Sequence, residues 1–398
     1  MVKSQNQTDP VRVLIWGYYG CLNAGDDILL TNLCALIRCA ADDAVIYATV
    51  NDHAIIDSLK VTPLPTPKRS RFKILNLLSL IWARLKSIHS CDVVLFGGGT
   101  QIFDKGKNSW FPILMFAVSL AINKLIMKRP VLHFCIGMGP IQTQLGRFFT
   151  RVIIRCSDLF VVRDKDSYSL LERLGCASDK IVLSCDLAYF FPAPPGKSGP
   201  VDAEMLKVAV SAFPYYEYVE RDPATNKALL DANIGFVDKF LQSYPCAEIH
   251  FIAMQGEYAN NDHEFAMTIR DASSCKTRIF CHPYTGDIDH LHTLVSEMDI
   301  ALGMRLHFNI LCYLHGIPVI SLAYQHKVAS EAARFAVGDF VLDPRSVTGE
   351  SIYQAVGDLL NRRDDAKRKY HEAIRDLAPL VEQGKVSLSR FLSMEHRN

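Results

Sequence analysis

The chain has 398 residues, of which 49% are hydrophobic and 21% are charged. This composition excludes a disordered chain, and the length exceeds what one hydrophobic core usually serves, so two domains are expected. The formal net charge of +1 gives no electrostatic reason to expect nucleic acid as a partner.

Twelve cysteines are scattered through the sequence without a CxxC pair, and several lie within apolar runs such as LHFCIG. This pattern is typical of buried free thiols in a reducing compartment and not of a disulfide framework or a zinc site. The N-terminal residues MVKSQNQTDP are polar and contain no apolar signal core. We therefore expect a cytoplasmic protein.

Two apolar segments raise the question of a membrane. Residues 111–121 are almost wholly apolar, but Asn123 and Lys124 end the run well short of the roughly 20 residues that a span needs. Upstream, KILNLLSLIWARLK mixes leucines with basic residues at helical spacing. Two core-facing helices are predicted; the alternative is peripheral docking on the inner face of a membrane. The segment 57–91 as a whole has no assigned role.

The first half alternates short β-rich runs with helical segments. Because the apolar runs are continuous, they predict parallel strands buried on both faces. The predicted strands are VRVLIW (11–16), AVIYATV (44–50), DVVLF (92–96), PVLHFCI (130–136), DLFVV (158–162) and KIVLSC (180–185).

The alternation restarts after PAPPGKSGP (192–200), the densest Pro/Gly stretch and the predicted linker. Five more strands are predicted: LKVAVSAF, AEIHFIAM, TRIFC, MDIALGM and IPVISLAY. The sequence therefore predicts an α/β fold of two Rossmann-like domains facing across a cleft. The predicted divisions are an N-terminal domain (1–191), the linker, a C-terminal domain (201–375) and a helical segment (376–398).

Glycine or charged clusters follow six of the predicted strands. In open parallel sheets, ligands bind beyond the carboxyl ends of the strands, so these clusters are candidate binding segments. They are GYYGCLNAGDD, GGGTQ, GMGP, RDKDS, GMRLH and QHK.

GYYGCLNAGDD (17–27) is neither GxGxxG nor a P-loop, so it does not indicate dinucleotide or ATP binding. Gly25 would let the backbone approach a ligand, and Asn23 and Asp26 are suited to gripping hydroxyls. The alternative is a tight turn with Asp26 as the helix N-cap.

GGGTQ (97–101) would turn the backbone N–H groups of Gly98, Gly99 and Thr100 toward a ligand. In RDKDS, Arg163 directly follows a buried strand. Its guanidinium suits a carboxylate or phosphate, and a structural ion pair is the alternative.

MRLH (304–307) places Arg305 and His307 between a strand and the N-terminus of a helix. Arginine, histidine and the helix dipole together predict an anion site with a titratable proton donor. Lys327 follows the next strand and is expected to face the same crevice, unless it is only a solvated lysine.

Two DxD tripeptides, at 164–166 and 287–289, could hold a divalent cation, but both precede helical runs. Helix capping explains them better. We therefore expect neither a metal nor another cofactor.

These motifs, in this order, resemble the polysaccharide pyruvyl transferase family. The similarity spans about Val11 to Val328 and rests on GYYGCLNAGDDILL, DVVLFGGGTQIFD, CIGMGPI, VVRDKDSYSLLERLG with CDLAYFF, and MRLHFNILCYLHGIPVISLAYQHKV. One departure is Asp27, where the family usually has another acidic residue.

The resemblance implies a fold similar to the two-domain (GT-B-type) glycosyltransferases. It also implies transfer of a pyruvyl unit from phosphoenolpyruvate to a sugar of a cell-surface or secreted polysaccharide, or of its lipid-linked precursor. By resemblance, His307 would be the acid, Arg305 and Arg163 the anion-binding arginines and Lys327 the charge-neutralising lysine. The rival interpretations are a nucleotide-sugar glycosyltransferase of the same architecture and a non-catalytic sugar-binding assembly protein.

Overall fold

The chain forms two compact units in a computed structural model, which describes residues 10–17, 19–50, 53–64, 73–104, 106, 110–191, 193, 205–256 and 261–395. Unit 1 comprises residues 1–21, 28–190 and 378–398, and unit 2 comprises residues 22–27 and 191–377. The predicted linker 192–200 lies outside the described residues except for Ala193.

Two segments join the unit that is remote from them in sequence. Residues 22–27 pair with residues of unit 2, since the Ala24 N–H donates to the Met254 carbonyl at 2.9 Å and the Gly256 N–H to the Leu22 carbonyl at 2.9 Å. The C-terminal residues 378–398 pack in unit 1, where the Ser184 hydroxyl donates to the Leu380 carbonyl at 2.8 Å.

Unit 1 is built on a parallel sheet of eight strands in the order β3-β2-β1-β4-β6-β7-β8, with β5 paired to β6. Its strands are β1 (Arg12–Trp16), β2 (Val45–Ala48), β3 (Thr62–Pro63), β4 (Val93–Gly97), β5 (Thr100–Asp104), β6 (Val131–Ile141), β7 (Leu159–Val162) and β8 (Ile181–Leu183). Its helices are α1 (Ala24–Ala40), α2 (His53–Leu59), α3 (Lys73–His89), α4 (Phe111–Ile122), α5 (Gln144–Cys156) and α6 (Lys165–Arg173), with a π turn at Asn123–Met127 after α4.

Unit 2 is built on a parallel sheet of six strands in the order β11-β10-β9-β12-β13-β14. Its strands are β9 (Lys207–Ser211), β10 (Glu248–Ile252), β11 (Ile279–His282), β12 (Ile300–Gly303), β13 (Val319–Leu322) and β14 (Val341–Leu342). Its helices are α7 (Pro223–Ser243), α8 (Asp262–Ala272), α9 (Ile288–Ser296), α10 (Leu306–His315), α11 (His326–Arg334) and α12 (Gly349–Asn361), and α13 (Arg363–Glu395) runs from unit 2 into unit 1.

The predicted fold class is confirmed, and each of the eleven predicted strands is present. The reason is visible in β4, where all five residues are buried, as a continuous apolar run on a doubly covered sheet requires. In both sheets, the strands that come next in sequence are added on one side of the first strand, and the later strands are added on its other side. In unit 2 this reversal lies between β9 and β12, and it creates the crevice at which open α/β sheets bind ligands.

The two apolar segments of unit 1 form α3 and α4. Five residues of α4 are buried, as predicted for a core-facing helix. Among the described residues, no helix has both the length and the apolarity needed to cross a bilayer. All twelve cysteines are free thiols.

Candidate active site

The reversal point of the unit 2 sheet carries an arginine on an aromatic platform. Arg305 follows β12, and Phe213 follows the neighbouring strand β9. The guanidinium carbon of Arg305 lies 3.5 Å from the centre of the Phe213 ring, a close cation–π contact. Tyr324, which follows β13, meets the same ring edge-on at 5.1 Å. Burial raises the pKa of Tyr324 to about 12, so its phenol stays protonated at neutral pH.

Asp262 fixes the direction of Arg305. The guanidinium donates from Nη2 to Oδ1 at 2.5 Å and from Nε to Oδ2 at 3.1 Å, which is two-pronged recognition. The carboxylate is 1% exposed and accepts the Met254 N–H at 3.0 Å. Burial raises the pKa of Asp262, and the charge of Arg305 opposes that shift. The arginine itself is only partly buried, so it can be reached by a ligand at the strand ends.

His307 lies in the first turn of α10, two residues after Arg305, which is the N-cap residue of the helix. The position of the His307 ring explains why residue 25 is a glycine. A Cβ atom on Gly25 would lie 2.2 Å from His307 Nδ1 and 2.8 Å from Cγ, so the ring rests directly against the glycine backbone. Gly25 therefore serves the approach of a histidine, whereas the sequence suggested the approach of a ligand.

Asn23 and Asp26 lie at the start of helix α1. Helix α1 begins at Ala24, and Asn23 caps it, because its side-chain oxygen accepts the Gly25 N–H at 3.1 Å. The alternative, that Asp26 caps the helix, is not what the structure shows, since Asp26 lies within the first turn and is partly exposed. The next residue, Asp27, is fully buried and accepts the Tyr284 hydroxyl at 3.0 Å.

Lys327 is exposed in the first turn of α11. Helices α10 and α11 follow β12 and β13, which are neighbours in the sheet. His307 and Lys327 thus both occupy helix N-termini at the carboxyl edge of adjacent strands, the positions at which anions are bound.

The structure places Arg163 in a buried ion pair of unit 1, the alternative that its sequence context left open. Its Nη1 donates to Asp186 Oδ2 at 2.8 Å and its Nη2 to Thr100 Oγ1 at 3.1 Å. Gly137 makes room for the guanidinium, since a Cβ atom there would lie 2.8 Å from Arg163 Nε. Thr100 therefore contributes its hydroxyl to holding the arginine.

The two glycines before Thr100 have left-handed backbones, with φ of +61° at Gly98 and +66° at Gly99. The Gly98 N–H donates to the Phe134 carbonyl at 2.9 Å, and the Gly99 carbonyl accepts the Gly137 N–H at 2.7 Å. The Gly98 N–H is thus engaged within the fold, contrary to the expectation that it points at a ligand.

Both DxD tripeptides contribute helix caps, as predicted. Asp164 accepts the Ser167 N–H at 2.7 Å at the start of α6, and Asp287 accepts the His290 N–H at 2.9 Å at the start of α9. Across the part of the chain that the structure describes, no three His, Cys, Asp or Glu side chains come together as metal ligands would.

Sequence reasoning did not identify four residues that shape these sites: Phe213, Asp262, Tyr324 and Asp186. Phe213 and Tyr324 close predicted strands and could have been found from that position. Asp186 lies in CDLAYFF, which contributed to the family resemblance. Asp262 gives no signal, since it looks like an ordinary acidic residue at the start of a helix.

Comparison with known proteins gives one family and one group of similar structures. The sequence model of the family described as polysaccharide pyruvyl transferase matches residues 23–326, a range that includes Asn23, Arg163, Arg305 and His307 and ends one residue before Lys327.

Several solved structures share the fold at low sequence identity. A putative UDP-N-acetylglucosamine 2-epimerase from Listeria monocytogenes is 12% identical with a TM-score of 0.61, covering 92% of this chain and 91% of that one. Anabaena HepE in complex with UDP-glucose is 12% identical with a TM-score of 0.59, covering 96% and 99%. The UDP-GlcNAc 2-epimerase from Neisseria meningitidis bound to UDP-GlcNAc is 12% identical with a TM-score of 0.59, covering 96% of this chain and 98% of that one. At such identities the likeness concerns the fold alone.

Proposed function

The chain belongs to the polysaccharide pyruvyl transferase family, and we propose that it transfers a pyruvyl group from phosphoenolpyruvate to a sugar, forming a cyclic ketal and releasing phosphate. The proposed acceptor is a sugar of a cell-surface or secreted polysaccharide or its lipid-linked precursor, modified in the cytoplasm. The observation that carries this proposal is the placement of Arg305 and His307 together at the reversal point of the unit 2 sheet, where a helix N-terminus also favours an anion.

The reaction needs one positioned acid and neutralisation of charge. Protonation of the donor's methylene carbon by the His307 imidazolium makes the adjacent carbon oxocarbenium-like, and a first sugar hydroxyl adds there and gives its proton back to the neutral imidazole. A second hydroxyl then forms the other ketal bond as the bond to phosphate breaks, and its proton leaves with the phosphate. Histidine suits the first step because its ordinary pKa is near neutral pH.

The cationic groups complement the two anionic groups of the donor. Arg305 and the first turn of α10 would bind one of them, and Lys327 at the neighbouring helix N-terminus would neutralise charge on the leaving phosphate. Arg163 remains a proposed anion-binding residue, and its pairing with Asp186 supports a structural role as well. No metal or other cofactor is part of this proposal.

The test is incubation with phosphoenolpyruvate and a panel of hexosides, with phosphate release and product mass as the readouts. His307→Asn should lower turnover roughly 100-fold or more and change donor affinity much less. The matched control is His290→Asn, an exposed histidine on α9, which should keep full turnover. Excess chelator should leave the wild-type rate unchanged.

Near-normal turnover of His307→Asn would mean that the proton comes from another group, and Lys327 would be the next to replace. Chelator inhibition that is reversed by magnesium would contradict metal independence.

The rival interpretation is a nucleotide-sugar glycosyltransferase, since similar structures carry UDP-sugars. Their identity of 12% makes this a fold-level analogy, which does not fix function. Release of UDP from a UDP-sugar in the same acceptor panel, without phosphate release from phosphoenolpyruvate, would favour the rival.

A further inference from the structure

One long segment of the sequence carries a large excess of positive charge. Residues 60–156 contain fifteen lysines and arginines but only two acidic residues, Asp92 and Asp104, in a chain whose totals are 43 basic and 42 acidic. Both acids have partners within the fold. Asp104 is fully buried and accepts the Thr143 N–H and hydroxyl. Asp92 is partly exposed and pairs with Arg12 at 2.8 Å and with Arg129 at 3.7 Å.

The described part of this stretch includes α3, α4 and α5, which are neighbours on unit 1. Helix α4 packs against α3 on one side and α5 on the other, and the π turn after α4 packs against α3. We call the solvent-exposed side of α3, the π turn and α5 the α3–α5 surface.

The α3–α5 surface exposes large apolar side chains. Trp82 on α3 is 71% exposed, and Leu125 and Ile126 in the π turn are 77% and 72% exposed. Phe148 on α5 is 56% exposed. Single exposed apolar residues are ordinary, but four large ones on adjoining elements mark an interaction surface.

Basic side chains accompany them. Arg147, Arg151 and Arg155 repeat every four residues along α5, so they lie along one side of the helix, and all three are exposed. Lys86 on α3 is exposed as well. One acidic residue also reaches this region: Asp158, which follows α5, pairs with Lys124 at 3.1 Å.

We propose that the α3–α5 surface docks on an anionic lipid bilayer, with Trp82, Leu125 and Ile126 entering the headgroup–acyl boundary and the arginines of α5 binding lipid phosphates. Aliphatic side chains gain by leaving water for acyl chains, and cationic side chains are attracted to an anionic leaflet. A nucleic acid would use the arginines but offers nothing to Leu125 and Ile126. A second copy of this chain would bring like charges together.

Docking would bring unit 1 to the surface on which a lipid-linked sugar resides. That interpretation rests on the proposed function, whereas binding to lipid does not.

The experiment is flotation of the full-length chain with vesicles of phosphatidylcholine alone and of phosphatidylcholine mixed with phosphatidylglycerol. We expect binding to the anionic vesicles, which raised salt weakens. Arg147→Gln/Arg151→Gln/Arg155→Gln should weaken binding about 100-fold, and Leu125→Ser/Ile126→Ser at least roughly 10-fold. Acyl chains carrying bromine should quench the fluorescence of the wild type, and Trp82→Phe should abolish most of that quenching.

Matched controls replace exposed residues elsewhere and should bind as the wild type does. The apolar control is Met205→Ser/Val219→Ser, and the basic control is Lys276→Gln/Lys385→Gln/Arg390→Gln. Absence of binding to anionic vesicles, equal losses in the controls, or binding to nucleic acid but not to vesicles would overturn the proposal. Transfer to a soluble hexoside, measured separately, should be unchanged in the arginine variant, so failure of the reaction and failure of docking are distinguishable.

Discussion

The buried carboxylate that pairs with Arg305 changes the expected effect of replacing this arginine. The sequence alone suggests that alanine here weakens donor binding and leaves folding intact. Because Asp262 is buried and paired with Arg305, alanine would leave an uncompensated buried carboxylate, which typically costs about 3–5 kcal/mol. The same argument applies to Arg163 and Asp186. Alanine variants at these positions therefore combine loss of binding with loss of stability.

We predict that Arg305→Lys separates the two effects. Lysine keeps the charge near Asp262 but cannot reproduce the two-pronged geometry, so the fold should persist while affinity for phosphoenolpyruvate falls roughly 10-fold or more. Calorimetric titration measures the affinity. Arg270→Lys, at an exposed pair with Asp271, is the control and should bind the donor normally. If Arg305→Lys bound phosphoenolpyruvate as tightly as the wild type, the role of Arg305 would be purely structural.

His133 illustrates a residue that sequence reasoning cannot place. It is fully buried and stacks between Phe96 at 4.9 Å and Phe160 at 4.4 Å. Its Nε2 lies 2.9 Å from Ser157 Oγ, whose proton is donated to the Ile153 carbonyl at 2.8 Å. Nε2 must therefore carry the proton and donate, and Nδ1 is unprotonated in apolar surroundings. Burial lowers the pKa of His133 to about 3.

This depressed pKa makes stability depend on pH. The unfolded histidine titrates near pH 6.5, so between there and about pH 3 the unfolded state binds a proton that the folded state does not. Stability from this residue is complete above pH 6.5 and falls with the pH, by about 2 kcal/mol at pH 5.

His133→Phe keeps the aromatic stack and removes the titrating group. Urea unfolding at pH 7 and pH 5 should show that the variant loses about 2 kcal/mol less than the wild type on acidification. His290→Phe, at an exposed histidine, should lose as much as the wild type. If His133→Phe lost as much stability on acidification as the wild type, His133 would not be the source of the pH dependence.

At the scale of elements, the sequence predicts the strands well because a strand buried on both faces must be apolar throughout. Helix starts are less certain. Helix α10 begins at Leu306, two residues before the predicted FNILCYLHG, so His307 lies inside the first turn. The contact that fixes its ring comes from Gly25, which is remote in sequence. Such a contact depends on tertiary packing, and no local pattern records it.

The Gly25–His307 contact gives a prediction at this scale. Gly25→Ala adds a methyl group where the His307 ring lies, so the ring must move and turnover should fall roughly as far as in His307→Asn, about 100-fold. Alanine otherwise favours a helix over glycine, so α1 should remain formed.

Gly357→Ala in α12 is the matched control, because nothing lies within 4 Å of the added carbon. It should stabilise the protein by about 0.5–1 kcal/mol and leave turnover unchanged. Full activity of Gly25→Ala would show that the position of the His307 ring is not critical.

At the scale of the whole molecule, the net charge does not show how charge is distributed along the chain. A net charge of +1 argues against a polyanionic partner, yet residues 60–156 are strongly basic. Two Rossmann-like units were predictable from the repeated strand–helix alternation. The grouping of residues 22–27 with unit 2 was not, because it depends on backbone pairing that forms only in the folded state.

The central claim is that phosphoenolpyruvate is the donor, and the melting temperature tests it most directly because no acceptor has to be known. A ligand that binds the folded chain at 100 times its dissociation constant stabilises it by about 2.7 kcal/mol. We predict that saturating phosphoenolpyruvate raises the melting temperature by several degrees and that UDP-GlcNAc at the same concentration does not. A rise with UDP-GlcNAc and none with phosphoenolpyruvate would contradict the claim.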